Sequence, residues 1–171
     1  MKLSLKEMTI FALLGAVMYS SKIIMEFMPN VHLIGVFVMA LTLCYGVKAL
    51  YPIYVFIFLT GLTNGFALWW WPYLYLWIIL WGVTMLLPKN MHKALAPFIY
   101  SAVCALHGFL YGTMYSPYQA LMFHLDFKGM IAWIVAGLPW DMVHGVSNFI
   151  CGFLIIPLYT TLKLSNKYIK E

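Results

Sequence analysis

The polar residues of this chain come as short punctuation between long, continuously apolar runs, without the two-residue alternation of a barrel strand. The breaks fall at Met28-Pro29-Asn30, Gly46-Val47-Lys48, Trp69-Trp70-Trp71-Pro72, Leu87-Pro88-Lys89 and the stretch Tyr115–Lys128. They predict six helical segments: 8–27, 33–47, 50–66, 69–87, 94–114 and 139–162. The last apolar stretch, Met130–Leu162, is long for one segment, and Pro139 is the expected start of its helix. The connection Tyr115–Lys128 has room for a short interfacial helix, Tyr118–Phe123. There is no internal repeat and no low-complexity segment.

Composition decides what surrounds these segments. Of 171 residues 64% are hydrophobic and only 9% charged, where a soluble domain carries about a quarter charged. That excludes an ordinary cytosolic enzyme and a disordered tail. A spanning helix takes about 20 residues, so the expected fold is an all-α integral membrane domain, 1–171, with no room for a soluble one. Net charge is +5, from ten lysines and no arginine against five acids. The lysines are dispersed, not striped, so no nucleic-acid partner is expected. With the N-terminus inside, Lys2, Lys6, Lys48, Lys89, Lys93, Lys163, Lys167 and Lys170 all fall on the cytoplasmic side, and the outer loops keep only Lys128, beside Asp126. That bias demands an even number of spans, hence six with both termini cytoplasmic. Lys2 and Lys6 precede an apolar stretch as in a signal peptide, but Lys22 and Glu26 interrupt it and no cleavage site follows, so a retained first helix is expected. Cys44, Cys104 and Cys151 lie far apart in apolar runs and read as packing residues.

Depth sorts the remaining polar groups. An ionisable side chain at the bilayer centre costs roughly 3 kcal/mol. Lys22 and Glu26 lie in the outer half of the first segment on one helical face, and His32 lies in the first outer loop. His107 is beyond the midpoint of the fifth segment; Asp141, His144 and Asn148 form one stripe at the outer end of the sixth, with Ser147 adjacent. The aromatic corner Trp69, Trp70, Trp71, Tyr73, Tyr75 and Trp77 is also outer. An aromatic-walled pocket with a few charges, open to the outside, has this composition. Its candidate substrate-binding residues are Lys22, Glu26, His32, Trp70, Trp71, Tyr73, Tyr75, His107, Asp141, His144 and Asn148. Each has a plainer reading: an interfacial aromatic belt, a snorkelling pair, a helix-packing hydrogen bond.

Catalytic signatures are missing from the sequence. It holds no H-E-x-x-H, no paired Asp-rich motif and no Walker A loop, and His144-Gly145-Val146-Ser147 lacks the glycine-bracketed serine of an intramembrane protease. His107, Asp141 and His144 have no diagnostic metal or haem spacing. The expectation is therefore no metal, no cofactor, no catalytic residue and no enzyme.

This organisation resembles the substrate-binding S components of energy-coupling factor (ECF) transporters, over the whole length in size, topology and site placement. The most local match is Ala12-Leu13-Leu14-Gly15-Ala16, which fits the family's A-x-x-x-A pattern. The resemblance implies an S-component-like six-helix bundle in the bacterial cytoplasmic membrane. It would capture a vitamin or vitamin-like micronutrient at the outer face, with 29–32 as part of a lid. Its partners would be a transmembrane coupling subunit, met through Ala12 and Ala16, and two ATPase subunits. The N-terminus has no histidine segment of the kind that carries cobalt or nickel in the related metal importers. A B vitamin, a precursor, a modified base or lipoate all remain open as ligand. The alternatives are an accessory subunit of a membrane complex, or a small intramembrane enzyme using Asp141 and His144.

Overall fold

The computed structural model of the chain describes residues 3–88 and 91–170, with side chains to residue 166. It is all-helical, 80% helix, with no strand among the described residues. The helices are α1 (Leu5–Ile24), α2 (Ile34–Tyr45), α3 (Leu50–Asn64), α4 (Tyr73–Leu86), α5 (Ala96–Phe109), α6 (Tyr111–Phe123), α7 (Phe127–Gly152) and α8 (Ile155–Lys170), with a 3-10 turn Gly46–Ala49 between α2 and α3.

Local chemistry sets several of these boundaries. Ser4 caps α1 in a reciprocal box: its hydroxyl accepts from the Glu7 N–H at 3.1 Å, and its own N–H donates to Glu7 at 3.0 Å. The other Glu7 oxygen takes Lys48, in the turn after α2, in a salt bridge. Gly46, at φ +57°, turns the chain where a side chain would be strained. Asp126 caps α7 by accepting from the Gly129 N–H at 2.7 Å.

Two expected boundaries are corrected. The fifth segment, 94–114, breaks at Leu110, and α6 then fills most of the stretch taken as a connection. The sixth does not begin at Pro139: α7 starts at Phe127 and carries Pro139 in its interior. A proline costs one backbone bond, which a helix packed among others absorbs. The break that does occur, a 51° bend between α7 and α8, precedes Pro157, in the first turn of α8, where a missing N–H is free of cost. Smaller differences are that α2 stops at Tyr45 and α4 begins only at Tyr73.

Side-chain pairings give the direction of each element. Glu7 meets Lys48, Phe11 stacks on Tyr51 at 6.0 Å, and Gly15 lies against Val55, so α1 and α3 run parallel. Tyr54 bonds the Leu74 carbonyl, Trp70 that of Ile57 and Trp81 that of Gly46, so α4 returns antiparallel to α3. Along α5–α6 against α7 the partners are Ser101 with Gly152, Cys104 with Asn148, Gly108 with Gly145, Gly112 with Asp141 and Tyr115 with Trp133, a continuous antiparallel hairpin. The result is six alternating legs: α1, α2, α3, α4, α5–α6 and α7–α8. Lys6, Lys48, Lys93 and Lys163 lie at one end of this bundle, and Lys22 and Lys128 toward the other. Lys2 and Lys89 fall outside the described residues, as do the side chains of Lys167 and Lys170.

Helix α2 is the axis of the core. It is apolar on every side, and Ile34, Val36, Val38, Met39, Ala40 and Leu41 are all buried. The outside is equally apolar: Leu13, Val17, Ile24, Phe58, Leu62, Val135, Phe149 and Ile150 are exposed. In water so continuous an apolar surface would associate. Two stretches, Leu5–Ile24 and Ile34–Asn64, are long and apolar enough to cross a membrane, and a third if the bent α7–α8 pair counts as one.

The α5–α7 seam depends on glycine. A Cβ on Gly108 would lie 2.9 Å from the Gly145 backbone, and one on Gly145 would fall 2.2 Å from the Phe109 ring. Overpacking of this kind costs about 1–3 kcal/mol. Gly108→Val should therefore lower the melting temperature in detergent by several degrees, whereas Gly82→Val, with nothing within 4 Å of its Cβ position, should leave it nearly unchanged.

Candidate ligand-binding cavity

At the end of the bundle away from the Glu7–Lys48 pair, a cavity of about 270 Å³ opens between α1, the loop 25–33, α4, α6 and α7. Lys22 and Glu26 stand one turn apart on its α1 side, the loop residues 28–32 line it, and Tyr73, Tyr111 and His144 complete its wall. Lys22 is half-buried and Glu26 exposed, and no salt bridge joins them.

Aromatic contacts hold this wall together. The His32 and His144 rings meet edge to face at 4.7 Å, and Tyr111 lies 5.0 Å from His144. Behind them the buried Trp77 touches His32 at 5.9 Å, Tyr73 at 5.9 Å and His107 at 5.5 Å. His107 is fixed from the other side by the Leu76 carbonyl at 3.0 Å. The loop is tied down by Ser147, whose hydroxyl donates to the Asn30 carbonyl at 3.1 Å, while Asn30 itself takes a left-handed turn at φ 60°. Burial holds the His32 imidazole at about 4, well below its ordinary value; its backbone hydrogen bond opposes that shift, and the nearby His107 and Lys22 charges add to it.

Of the residues predicted from sequence, the structure brings Lys22, Glu26, His32, Tyr73 and His144 to one cavity and sets His107 directly behind it. The others have different surroundings. Both Asp141 oxygens accept from the Gly112 N–H, at 3.1 and 3.0 Å, where the chain breaks between α5 and α6. A carboxylate at a helix N-terminus is favourably placed, and this one serves as a strut. Asn148 is fully buried lower down, donating to the Cys104 carbonyl at 3.2 Å. Trp70 is turned toward α3, where its indole N–H reaches the Ile57 carbonyl at 2.8 Å. Tyr75 bonds the Met114 carbonyl at 3.1 Å, and Trp71 is half in solvent on the face of Trp70. Tyr111 and Trp77 were not among the predicted site residues. Tyr111 stands four residues after His107, on the same face, which is the signal that marks it.

Comparison with family models, with curated proteins and with solved structures returns no match to this chain.

Two outcomes follow from these contacts. Asp141→Ala leaves the Gly112 amide unpaired in a buried place, a loss of about 1–3 kcal/mol, read as a lower melting temperature. Because His32 binds a proton less readily folded than unfolded, the stability it supports is complete above about pH 6.5 and lost as pH falls through about 4. Melting temperature should fall across that window, and His32→Gln should make the fall shallower.

Proposed function

We propose that this chain is the substrate-binding membrane subunit of an ECF-type importer, which takes a vitamin or vitamin-like micronutrient from outside and delivers it through an ATP-driven module of one membrane coupling subunit and two ATPase subunits. The observation that carries the reading is the cavity. Cationic, imidazole and phenolic groups converge on one concave space at the lysine-poor end of an otherwise apolar body.

On this reading each of the six alternating legs crosses the bilayer with both chain ends in the cytoplasm. At 1.5 Å per residue the twelve residues of α2 reach only about 18 Å, short of the roughly 30 Å hydrocarbon core. Helix α2 is enclosed by its neighbours on nearly every side, so its ends need no match to lipid. The outer helices carry the exposed apolar side chains instead.

The coupling face is supported by the way α1 divides its small residues. Gly15 takes the close contact within the chain, against Val55 and the Pro52 carbonyl. Ala12 is left exposed and Ala16 half-buried. Nearby, an apolar groove along α3 includes Tyr51, Tyr54, Val55 and Phe58. Small residues let a further helix approach closely. Binding is favoured over intramembrane catalysis because Asp141 is occupied by Gly112 while His144, its supposed acid–base partner, faces the cavity.

The test is native mass spectrometry of the gently purified protein, with co-purification of the coupling module. A retained small molecule, lost in His144→Ala, is the expected result. Ala16→Leu should abolish co-purification and ATP-dependent uptake while leaving the retained molecule in place. A protein that carries no small molecule and raises no uptake in cells would overturn the reading.

A further inference from the structure

Of the buried polar atoms without a hydrogen-bond partner, His144 Nε2 and His32 Nδ1 belong to residues that line the cavity, while others, such as Ser101 Oγ and Asn148 Oδ1, lie elsewhere in the bundle. His144 is only 3% exposed. A neutral imidazole offers one donor and one acceptor nitrogen, and leaving such an atom dry and unpaired is unfavourable. The two rings meet 74° apart at 4.7 Å, so both imidazoles border the same small space. Aromatic rings stand beside them: Tyr111 lies 5.0 Å from His144, and Tyr73 lines the cavity with the buried Trp77 behind it. Lys22 stands over this floor without a salt bridge, while Glu26 is one turn further out and exposed, where water screens it. A volume of about 270 Å³ falls just under the range for drug-sized ligands, which leaves space for one or two fused rings and not for a long coenzyme.

We infer, on the strength of the binding role proposed above, that the cavity takes a compact heteroaromatic acid. Its heteroatom edge is hydrogen-bonded by His32 and His144, its ring face lies on Tyr73 and Tyr111, and its anionic substituent sits on Lys22. The two features are separable: the imidazoles read the ring nitrogen or ring amide, and the ammonium reads the negative charge. A purely apolar ring would leave the histidine nitrogens unpaired. An uncharged heterocycle would leave Lys22 without a counter-ion in a half-buried place.

Calorimetry and thermal shift on the full-length protein in nanodiscs test both features with nicotinate, nicotinamide, benzoate, orotate and uracil as probes. Nicotinate or orotate should bind about tenfold or more tightly than its uncharged counterpart, and more tightly than benzoate by a similar factor; each tenfold corresponds to about 1.4 kcal/mol. Lys22→Met should erase the preference for acid over amide. His144→Phe, which keeps a ring in place, should erase the preference for nicotinate over benzoate, with the unliganded melting temperature showing that it folds. Equal binding of benzoate, equal binding of the uncharged partners, or no binding of any probe overturns the inference. A retained molecule without a heteroaromatic ring overturns it too and leaves the transport reading standing; an empty protein that also supports no uptake overturns both.

Discussion

A body with an apolar exterior and an apolar core has to satisfy its polar groups internally, and most of this structure follows from that requirement. Threonines on the buried faces return their hydroxyls to the carbonyl four residues back: Thr42 to Val38, Thr60 to Phe56 and Thr84 to Leu80. Asn148 spends its amide on Cys104, His107 its ring on Leu76, and Trp81 its indole on Gly46. The last three bonds join one leg to another, so these polar groups act as fasteners between apolar helices. Some buried atoms among the described residues lack such a bond, among them Trp77 Nε1, Ser101 Oγ, His107 Nδ1 and Asn148 Oδ1, and of the unpaired atoms only His32 Nδ1 and His144 Nε2 belong to residues that line the cavity.

The same requirement explains the strut between α6 and α7. Where α5 gives way to α6 at Leu110, a backbone amide comes free in a buried setting, and Asp141 takes it with both oxygens. A Cβ on Gly112 would come within 2.5 Å of that carboxylate, so the residue types on both sides of the bond are matched. The strut sits one turn from His144 and beside Tyr111, and so steadies two walls of the cavity without entering it.

The apolar runs were legible in the sequence because continuity and length are one-dimensional properties. The break at Leu110 was not: nothing local marks it, and the group that stabilises it stands in another helix, at Asp141. Pro139 misled for the converse reason, since a strong local breaker was overridden by packing along α7. At the site, depth along the helices placed Lys22, Glu26, His32, Tyr73 and His144 together without any knowledge of helix rotation. Rotation is what separates Trp70 and Tyr75 from them, turning Trp70 to the Ile57 carbonyl and Tyr75 to that of Met114. Tyr111 passed as an ordinary aromatic in an apolar segment, although its spacing from His107 put it on the same face.

Within two turns of α7 lie the strut Asp141, the cavity residue His144, the loop tether Ser147 and the cross-bundle fastener Asn148. An insertion or deletion of one residue between them would rotate everything beyond it by about 100°, and no compensating change elsewhere restores four contacts to three different elements. Side chains around the cavity can be exchanged singly as a ligand preference drifts, but the count of residues from Asp141 to Asn148 cannot change. Divergent chains of this architecture should thus vary in what these positions are and stay fixed in how far apart they stand, with length changes pushed to the loops and to the N-terminal part of α7 before Trp133.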